Sequence, residues 1–373
     1  MVKILYIICD KNFGGGSRHV FDLITNLDKK KFKPVLITVP SPLEYLFKNK
    51  ISLHQVDMKS RLDFKAIREI KNITKKEKPD IIHLHSTRAG IIGTLAVKDL
   101  DIPIIYTEHL FTDDYIPENK LIHRLQLEAL KRLSKNIDRV IAVSKAVKDY
   151  LANKKIFSDD KIEVIYNGIK INQYAKPENK KFDKLIIGSI GALSEIKGYK
   201  YLIEALKIVN SLEIGNCPPW LVETGKLEII GEGPDKADLK GLIERYHLQN
   251  KIDLIPFSSN IEDKIKKWDI YVQPSLSESF GLATAEAMSI GLPIIATNAG
   301  GLKELVDKNS GFLVKPADAK ALASAIIKLI QSPAQRAEMG KNARERIKKY
   351  FSLDKMIINT QKLYISLLKK IKI

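Results

Sequence analysis

Short apolar runs alternate with longer amphipathic stretches along this chain of 373 residues. In the first half, the apolar runs predict strands at Ile4–Cys9, Val35–Val39, Asp80–Leu84, Ile102–Tyr106, Arg139–Val143 and Glu163–Tyr166. In the second half, they predict strands at Leu185–Ile190, Leu227–Ile230, Ile252–Ile255, Ile270–Pro274 and Pro293–Thr297. Helical periodicity between them is clearest at His19–Leu27, Phe64–Lys76 and Leu121–Lys135. Strands separated by helices are typical of βαβ units, so we expect an α/β chain with parallel sheets.

The length of the chain and one polar stretch predict two domains. The segment Lys176–Lys184 is charged and aperiodic, as linkers are. We therefore expect two Rossmann-like, doubly wound domains at residues 1–178 and 179–350, followed by a C-terminal helix within 351–373. Ligands of open α/β sheets bind beyond the carboxyl ends of the strands, so two such domains facing each other would form one cleft between them.

A glycine-rich turn follows the first predicted strand and opens a helix. Gly15 and Gly16 allow close approach of the backbone, and a helix N-terminus favours anions. The run Gly14–His19 lacks the third small residue of a dinucleotide fingerprint, and no ribose-binding acid follows the second strand. A nicotinamide cofactor is therefore not favoured, and the remaining alternative to an anion site is a plain tight turn.

Three polar side chains lie at the ends of other strands in the first half. His109 follows the strand Ile102–Tyr106, where it could donate a hydrogen bond to a developing negative charge or orient a hydroxyl. Arg88 follows the strand Asp80–Leu84 and is a candidate contact for a phosphate or an acceptor. His83 lies next to the end of that strand and is interpreted as a core residue.

Two turns in the second half also follow strands. Lys197 lies in the turn Gly191–Gly198, where a lysine suits a diphosphate as a mobile point charge. The alternative is a solvated lysine, one of many in this chain. Gly233 lies in the turn Gly231–Pro234, whose backbone could approach a nucleotide base.

Two carboxylates, Glu278 and Glu286, occupy a strand–turn–helix segment bounded by glycine turns. Eight residues of helix span about 12 Å, since each residue rises about 1.5 Å. Paired glycosidase carboxylates lie roughly 5–9.5 Å apart across one bond. The spacing therefore indicates that the two carboxylates bind opposite ends of one extended ligand.

Composition restricts the partners and the setting. The net charge of +18 favours phosphate-bearing or other polyanionic partners. No nucleic-acid signature accompanies the basic residues, so no nucleic-acid partner is expected. The two cysteines, Cys9 and Cys217, have neither metal-ligand spacing nor a disulfide framework, which indicates a reducing, cytoplasmic setting. No apolar segment reaches the length of about 18 residues that a spanning helix needs.

Taken in order, these segments resemble the GT-B glycosyltransferases of family 4, the retaining group 1 enzymes. The matching segments are GGGSRH, HSTRAG, YTEH, VIYNGI, GALSEIKG, GEGP, SESFGLATAEAMSIGLPIIAT and GGLKE. Glu278–Glu286 matches the family's E-x₇-E signature together with its FGL and EAM-x-x-G-x-P elements. The resemblance implies a GT-B fold with an interdomain cleft, and a last helix that crosses back to the first domain.

The resemblance also implies the reaction: retaining transfer of a sugar from a nucleotide-diphosphate sugar to a glycan or lipid-linked acceptor, with no metal or other cofactor. A UDP-sugar is favoured over a GDP-sugar. Carried onto this sequence, the donor site comprises Gly15, Gly16, Lys197, Gly233, Glu278, Phe280, Gly281, Leu282 and Glu286. Lys197 would neutralise the diphosphate, while His109 and Glu278 would contact the transferred sugar and Glu286 the ribose.

The sequence departs from the family pattern at one position. Ala192 stands where the family usually has an arginine as a second diphosphate cation. Arg18 and Arg88 are candidate replacements, with the acceptor as the alternative ligand for either. The alternative functions are a GT-B sugar-nucleotide epimerase or phosphorylase, and a catalytically silent nucleotide-sugar-binding protein.

Two basic amphipathic segments suggest peripheral association with a membrane. Leu121–Lys135 and Phe64–Lys78 each combine an apolar face with several lysines or arginines. Such helices can lie on an anionic surface, here the inner face of a plasma membrane that carries a lipid-linked acceptor. The alternative is that their apolar faces pack on the sheet.

Overall fold

The computed structural model describes residues 1–12, 14–60, 62–117, 119–171, 185–211, 225–257 and 261–371. It divides into two compact units. Unit 1 comprises Met1–Asp113, Pro117–Gly168 and Leu353–Ile373, and unit 2 comprises Asp114–Ile116 and Ile169–Ser352. The predicted linker Lys176–Lys184, the predicted boundary at residue 178 and Cys217 lie outside the described residues.

Unit 1 contains a seven-stranded parallel sheet in the order β3-β2-β1-β4-β5-β6-β7. Its strands are β1 (Val2–Ile8), β2 (Phe32–Thr38), β3 (Ser52–Gln55), β4 (Ile81–His85), β5 (Ile104–Glu108), β6 (Arg139–Ala142) and β7 (Ile162–Val164). Its first six helices are α1 (Gly15–Asn26), α2 (Pro42–Phe47), α3 (Phe64–Glu77), α4 (Thr87–Val97), α5 (Lys120–Leu133) and α6 (Lys145–Asn153). The edge strand β3 was not predicted, because its sequence SLHQ is short and half polar.

Unit 2 contains a six-stranded parallel sheet in the order β10-β9-β8-β11-β12-β13. Its strands are β8 (Ile186–Ile190), β9 (Lys226–Ile230), β10 (Ile252–Ile255), β11 (Ile270–Gln273), β12 (Ile294–Thr297) and β13 (Gly311–Val314). Its described helices are α7 (Tyr199–Ser211), α8 (Lys236–Arg245), α9 (Ile261–Ile265), α10 (Leu282–Ile290), α11 (Leu302–Leu305), α12 (Ala319–Gln331) and α13 (Pro333–Tyr350). The edge strand β13 was also missed, since it is short and begins with glycine.

The last helix, α14 (Leu353–Ile371), packs in unit 1. It contributes Leu353, Met356, Ile357, Leu363, Tyr364 and Leu367 to the core of that unit. The Tyr364 hydroxyl lies 3.1 Å from that of Tyr6 on β1 and 2.7 Å from Nδ1 of His83 on β4. The C-terminal segment thereby joins the centre of the first sheet.

Both sheets have a switch point, where the order of the strands reverses direction. It lies between β1 and β4 in unit 1, and between β8 and β11 in unit 2. Ligands of such sheets bind beside the carboxyl ends of the strands at that point. Two Rossmann-like sheets with flanking helices confirm the predicted fold class.

Candidate functional site

The turn after β8 carries Lys197 at the switch point of unit 2. It contains a short 3₁₀ turn, Glu195–Lys197, and ends at Gly198 with a φ of +66°. A Cβ at Gly198 would lie 2.2 Å from the carbonyl oxygen of Pro274, so only glycine fits this approach. The Leu276 N–H donates to the carbonyl of Ile196 at 2.8 Å. The turns after β8 and β11 are therefore packed directly against each other.

This packing brings together Lys197 and Glu278. The Nζ atom of Lys197 donates to Oε2 of Glu278 at 2.5 Å, and the two side chains are 22% and 14% exposed. One side chain was predicted to bind the diphosphate and the other the sugar. The structure therefore makes the two predicted positions adjacent, in one partly buried ion pair.

A row of polar side chains on β11 and the turn after it supports the Glu278 carboxylate. The Tyr271 hydroxyl donates to Oε1 of Gln273 at 2.6 Å, and Nε2 of Gln273 donates to Oγ of Ser275 at 2.8 Å. Oγ of Ser275 in turn donates to Oε2 of Glu278 at 3.3 Å. Sequence reasoning missed this row. Its only signal was the alternation of polar positions within an otherwise apolar strand, since alternate residues share a face.

The glycine pair Gly300-Gly301 holds the backbone of the Glu278 turn. The Gly301 N–H donates to the carbonyl of Glu278 at 2.8 Å. A Cβ at Gly300, where φ is +44°, would lie 1.9 Å from that carbonyl oxygen. The pair is thus required by close packing of two backbones.

Helix α10 begins at Leu282, directly after Gly281, whose φ is +97°. Phe280 before it is buried, and Glu286 is half-buried on the helix. The sequence estimate of about 12 Å applied the helical rise to all eight steps from Glu278 to Glu286. That premise was wrong for the first half of the segment, because Glu278 to Gly281 form a turn.

The turn after β9 packs on the turn that carries Lys197. A Cβ at Gly231 would lie 1.9 Å from the carbonyl oxygen of Gly191, and one at Gly233 would lie 2.3 Å from that of Leu193. The space beside the Gly233 backbone is thus already filled by the backbone of Leu193. Ala192, which replaces the expected arginine, is exposed on the same turn.

In unit 1, three histidines converge beside the switch point. His19 lies on α1, His85 ends β4 and His109 follows β5. Nδ1 of His85 lies 3.1 Å from Nε2 of His109, and one ring nitrogen from each of the three lies within 4.8 Å of the others. Burial lowers the pKa of His19 to about 4, and it also lowers the pKa of His85 and of His109. All three imidazoles are therefore neutral near pH 7.

The neighbouring residues fix the position of this cluster. A Cβ at Gly16 would lie 2.8 Å from Oδ2 of Asp10 and 3.7 Å from the His109 ring, whereas Gly15 begins α1. Oε1 of Glu108 accepts the N–H groups of His109 and Leu110 at 3.0 and 2.8 Å. Burial raises the pKa of the Glu108 carboxyl, whose Oε2 accepts the Tyr106 hydroxyl. Sequence reasoning assigned no role to Glu108.

His83 and the two candidate arginines have other partners in unit 1. His83 is fully buried and also lies 2.7 Å from Oγ1 of Thr107. Arg18 donates to Oδ2 of Asp22 at 2.8 Å along α1. Arg88 donates to the carbonyl of Met58 at 3.2 Å. The phosphate or acceptor roles of the two arginines stay predictions.

Comparison with known proteins assigns the family. A family model described as "Glycosyltransferase Family 4" matches residues 13–173, and one described as "Glycosyl transferases group 1" matches residues 170–346. An uncharacterized glycosyltransferase of Methanocaldococcus jannaschii is 30% identical over 363 residues, covering 94% of each chain. An Escherichia coli enzyme named UDP-Gal:alpha-D-GlcNAc-diphosphoundecaprenol alpha-1,3-galactosyltransferase is 28% identical, covering 82% of this chain and 80% of its own.

A solved structure shares the fold. Anabaena HepE, crystallised in complex with UDP, superposes with a TM-score of 0.82 at 21% identity, covering 98% of this chain and 100% of its own. The chain belongs to the group 1 glycosyltransferases of family 4, and it is a glycosyltransferase that uses a nucleotide sugar.

Proposed function

We propose that this chain is a metal-independent, retaining glycosyltransferase that moves a sugar from a UDP-sugar to a lipid-linked glycan acceptor. The observation that carries this proposal is the pair of Lys197 and Glu278 at the switch point of unit 2. It combines a cation suited to a diphosphate with a carboxylate suited to sugar hydroxyls. The adjacent N-terminus of α10 adds backbone N–H groups that favour an anion.

The chemistry assigned to this site is mainly electrostatic. The bond between the anomeric carbon and the diphosphate oxygen breaks, and negative charge develops on the leaving group. We assign Lys197 and the N–H groups of Phe280 to Leu282 to the stabilisation of that charge. The acceptor hydroxyl attacks from the same face, and its proton passes to the departing phosphate oxygen, so the configuration is retained.

The other site residues take the roles implied by the family. Glu278 orients the sugar hydroxyls, Glu286 binds the ribose, and His109 contacts the transferred sugar. By the same family analogy, we assign the Gly15–Gly16 loop to the diphosphate and Gly233 to the base. These assignments stay predictions.

The choice of donor and acceptor draws on the named relative. The E. coli enzyme takes its sugar from UDP-Gal and, by its name, acts on a diphosphoundecaprenol-linked sugar. We therefore propose a UDP-sugar as the donor and a lipid-linked acceptor for this chain, and we do not specify which sugar is transferred.

The decisive experiment combines a donor screen with a charge-matched pair of variants. Binding of a UDP-sugar should raise the melting temperature, since a ligand of the native state adds RT ln(1 + [L]/Kd). Lys197→Ala should lower kcat by about 10²- to 10³-fold, the cost of removing one preorganised charge-stabilising group. Lys200→Ala removes an exposed lysine from the adjacent helix and should leave kcat unchanged. Near-normal turnover of Lys197→Ala would refute the role of Lys197.

Product analysis separates the alternatives. Retained configuration at the transferred sugar, with free UDP, supports the transferase. An epimerised nucleotide sugar would indicate an epimerase. Phosphate-dependent release of a sugar phosphate would indicate a phosphorylase, and binding without turnover would indicate a catalytically silent protein. Turnover should persist after treatment with EDTA; its loss would contradict metal independence.

We further propose that unit 1 docks on an anionic membrane through α5. Leu121 and Leu125 are 67% and 62% exposed, and Leu130 is the buried residue of this helix. Exposed basic residues lie on the same helix at Lys120, Arg124, Lys131 and Arg132, the last of which donates to the exposed Glu128 at 3.0 Å. Exposed apolar side chains flanked by basic ones suit an interface of this kind. Helix α3 buries Ala66 and Ile70, although Phe64 at its start is 78% exposed.

No helix among the described residues is long and apolar enough to cross a membrane. Co-sedimentation with anionic vesicles at low salt tests the docking proposal. The double change Leu121→Ser with Leu125→Ser should abolish binding, whereas Leu313→Ser, at an exposed apolar residue of unit 2, should not. Failure of the unaltered protein to bind such vesicles would contradict the docking proposal.

A further inference from the structure

Three histidines that are distant in sequence converge in unit 1 with the spacing of a metal site. His19, His85 and His109 each offer a ring nitrogen within 4.8 Å of the other two. The closest pair of nitrogens, on His85 and His109, is 3.1 Å apart. Two nitrogens at Zn–N distances of about 2.0–2.1 Å around a tetrahedral ion are separated by roughly 3.3 Å. The nitrogens of His85 and His109 are therefore already near the separation that an ion requires.

Two of these rings carry buried nitrogens that nothing in the described residues satisfies. Nε2 of His19 and Nε2 of His85 have no hydrogen-bond partner within the described part of the chain. Their residues are only 3% and 0% exposed. Buried polar atoms are normally paired, so the orphaned Nε2 of His19 points to a missing ligand. Nε2 of His85 lies on the far side of its ring from Nδ1, the nitrogen that faces His109, so an ion bound by Nδ1 would leave it unpaired.

The surroundings of His19 match those of a metal-binding histidine. Its Nδ1 lies 2.8 Å from Oδ1 of Asn167, so the ring proton sits on Nδ1 and the lone pair on Nε2. Metal-binding histidines usually donate their other ring N–H to an oxygen in this way. When the ion binds, the proton shared by His85 and His109 moves to an outer nitrogen of one ring.

We propose that His19, His85 and His109 bind a divalent transition-metal ion of the zinc class. Three imidazoles suit zinc, copper, nickel or cobalt, and not magnesium or calcium, which prefer oxygen ligands. His109 is only half-buried, which gives an ion a route of entry on its side.

Cobalt(II) tests the site without any measurement of activity. We expect the metal-free, full-length protein to bind one Co²⁺ per chain, with the intense visible bands of a four-coordinate ion, and Zn²⁺ to displace it. His109→Ala should abolish this spectrum. His247→Ala removes an exposed histidine of unit 2 and should leave it unchanged. Circular dichroism and the melting temperature verify that each variant is folded.

A gentler variant keeps all three ligands. Asn167→Ala removes only the partner of His19 and should weaken Co²⁺ binding about 10- to 100-fold, the usual effect of losing such a partner. No stoichiometric Co²⁺ binding, or an unchanged spectrum in a folded His109→Ala protein, would overturn the metal site. A protein that binds cobalt but lacks turnover would contradict the proposed function and leave the site standing.

Discussion

Gly300 sets the position of the Glu278 carbonyl through a contact that no other residue can make. A Cβ there would lie 1.9 Å from that oxygen, and φ is +44°. Gly300→Ala must therefore shift the turn that carries Glu278. We expect kcat/KM to fall by at least about tenfold, with a stability cost of about 1 kcal/mol or more. Steady-state kinetics and urea unfolding measure the two effects.

Gly241 on α8 provides the matched control. A Cβ there meets nothing within 4 Å, and the residue is helical. Gly241→Ala should leave kcat/KM unchanged and stabilise unit 2 by up to about 1 kcal/mol, because alanine favours the helix. Equal kinetics for Gly300→Ala and the unaltered enzyme would contradict the link between this turn and catalysis.

Individual residues also show where sequence reasoning reached its limit. Lys197, Glu278 and His109 were predicted as site residues from their places after strands. Gln273, Ser275 and Glu108 were not, because the alternation of polar positions is a weak signal that does not reveal the partner of each side chain. Gln273 donates to the hydroxyl of Ser275, two residues further along the same face, and Glu108 accepts the N–H of His109 in the loop that follows it.

Among the elements, α3 is fixed at its C-terminal end by Glu77. Its carboxylate accepts hydrogen bonds from Lys3 on β1 and from Ser52 and His54 on β3. Burial opposes ionisation of Glu77, but the bonds from His54, Ser52 and Lys3 outweigh it and lower its pKa. The edge of the first sheet is thereby tied to the helix that covers it.

Glu77→Gln should therefore destabilise the protein in a pH-dependent manner. Because the folded-state pKa is depressed, the contribution is fully present above the unfolded pKa of about 4.3 and is lost as the pH falls through the folded value. We expect a loss of about 1–3 kcal/mol at pH 7, typical of hydrogen bonds to a charged group. Urea unfolding across pH 3–7 should show the difference between variant and parent shrinking in acid.

Glu69, an exposed residue on α3, gives the control for that series. Glu69→Gln should change the free energy of unfolding by no more than about 0.5 kcal/mol at any pH. A Glu77→Gln deficit that stays constant down to pH 3 would show that its origin is not electrostatic.

The strands and helices were largely predictable from the pattern. Buried parallel strands read as continuous apolar runs because helices cover both faces. The elements that were missed, β3 and β13, lie at sheet edges, where one side is unpaired and the apolar pattern weakens. For α5 the periodicity predicted the helix, but it did not reveal that Leu121 and Leu125 face solvent.

At the scale of the whole molecule, the chain returns to unit 1 after completing unit 2. Tyr364 on α14 is fully buried and hydrogen-bonds to Tyr6 and His83 of the first sheet. Tyr364→Ala should therefore cost about 3–5 kcal/mol, as for other large aromatic residues truncated in a core. Hydrogen exchange should show lost protection in β1 and β4 of unit 1, with β8 and β11 of unit 2 unaffected.

Ile358 lies on the same helix but is 48% exposed. Ile358→Ala should leave exchange in both units close to that of the parent. Equal loss of protection in the two sheets of Tyr364→Ala would contradict the assignment of α14 to unit 1 alone.

The sequence by itself determined the class of fold, the places of the motif turns and the family, because all three are written in local patterns of apolar residues and short motifs. Only the tertiary structure decided which turns meet. It paired Lys197 with Glu278 across 81 positions and gathered His19, His85 and His109 into one cluster. The order of the strands and their crossover connections determine which turns lie next to each other, and neither leaves a periodic pattern in the sequence.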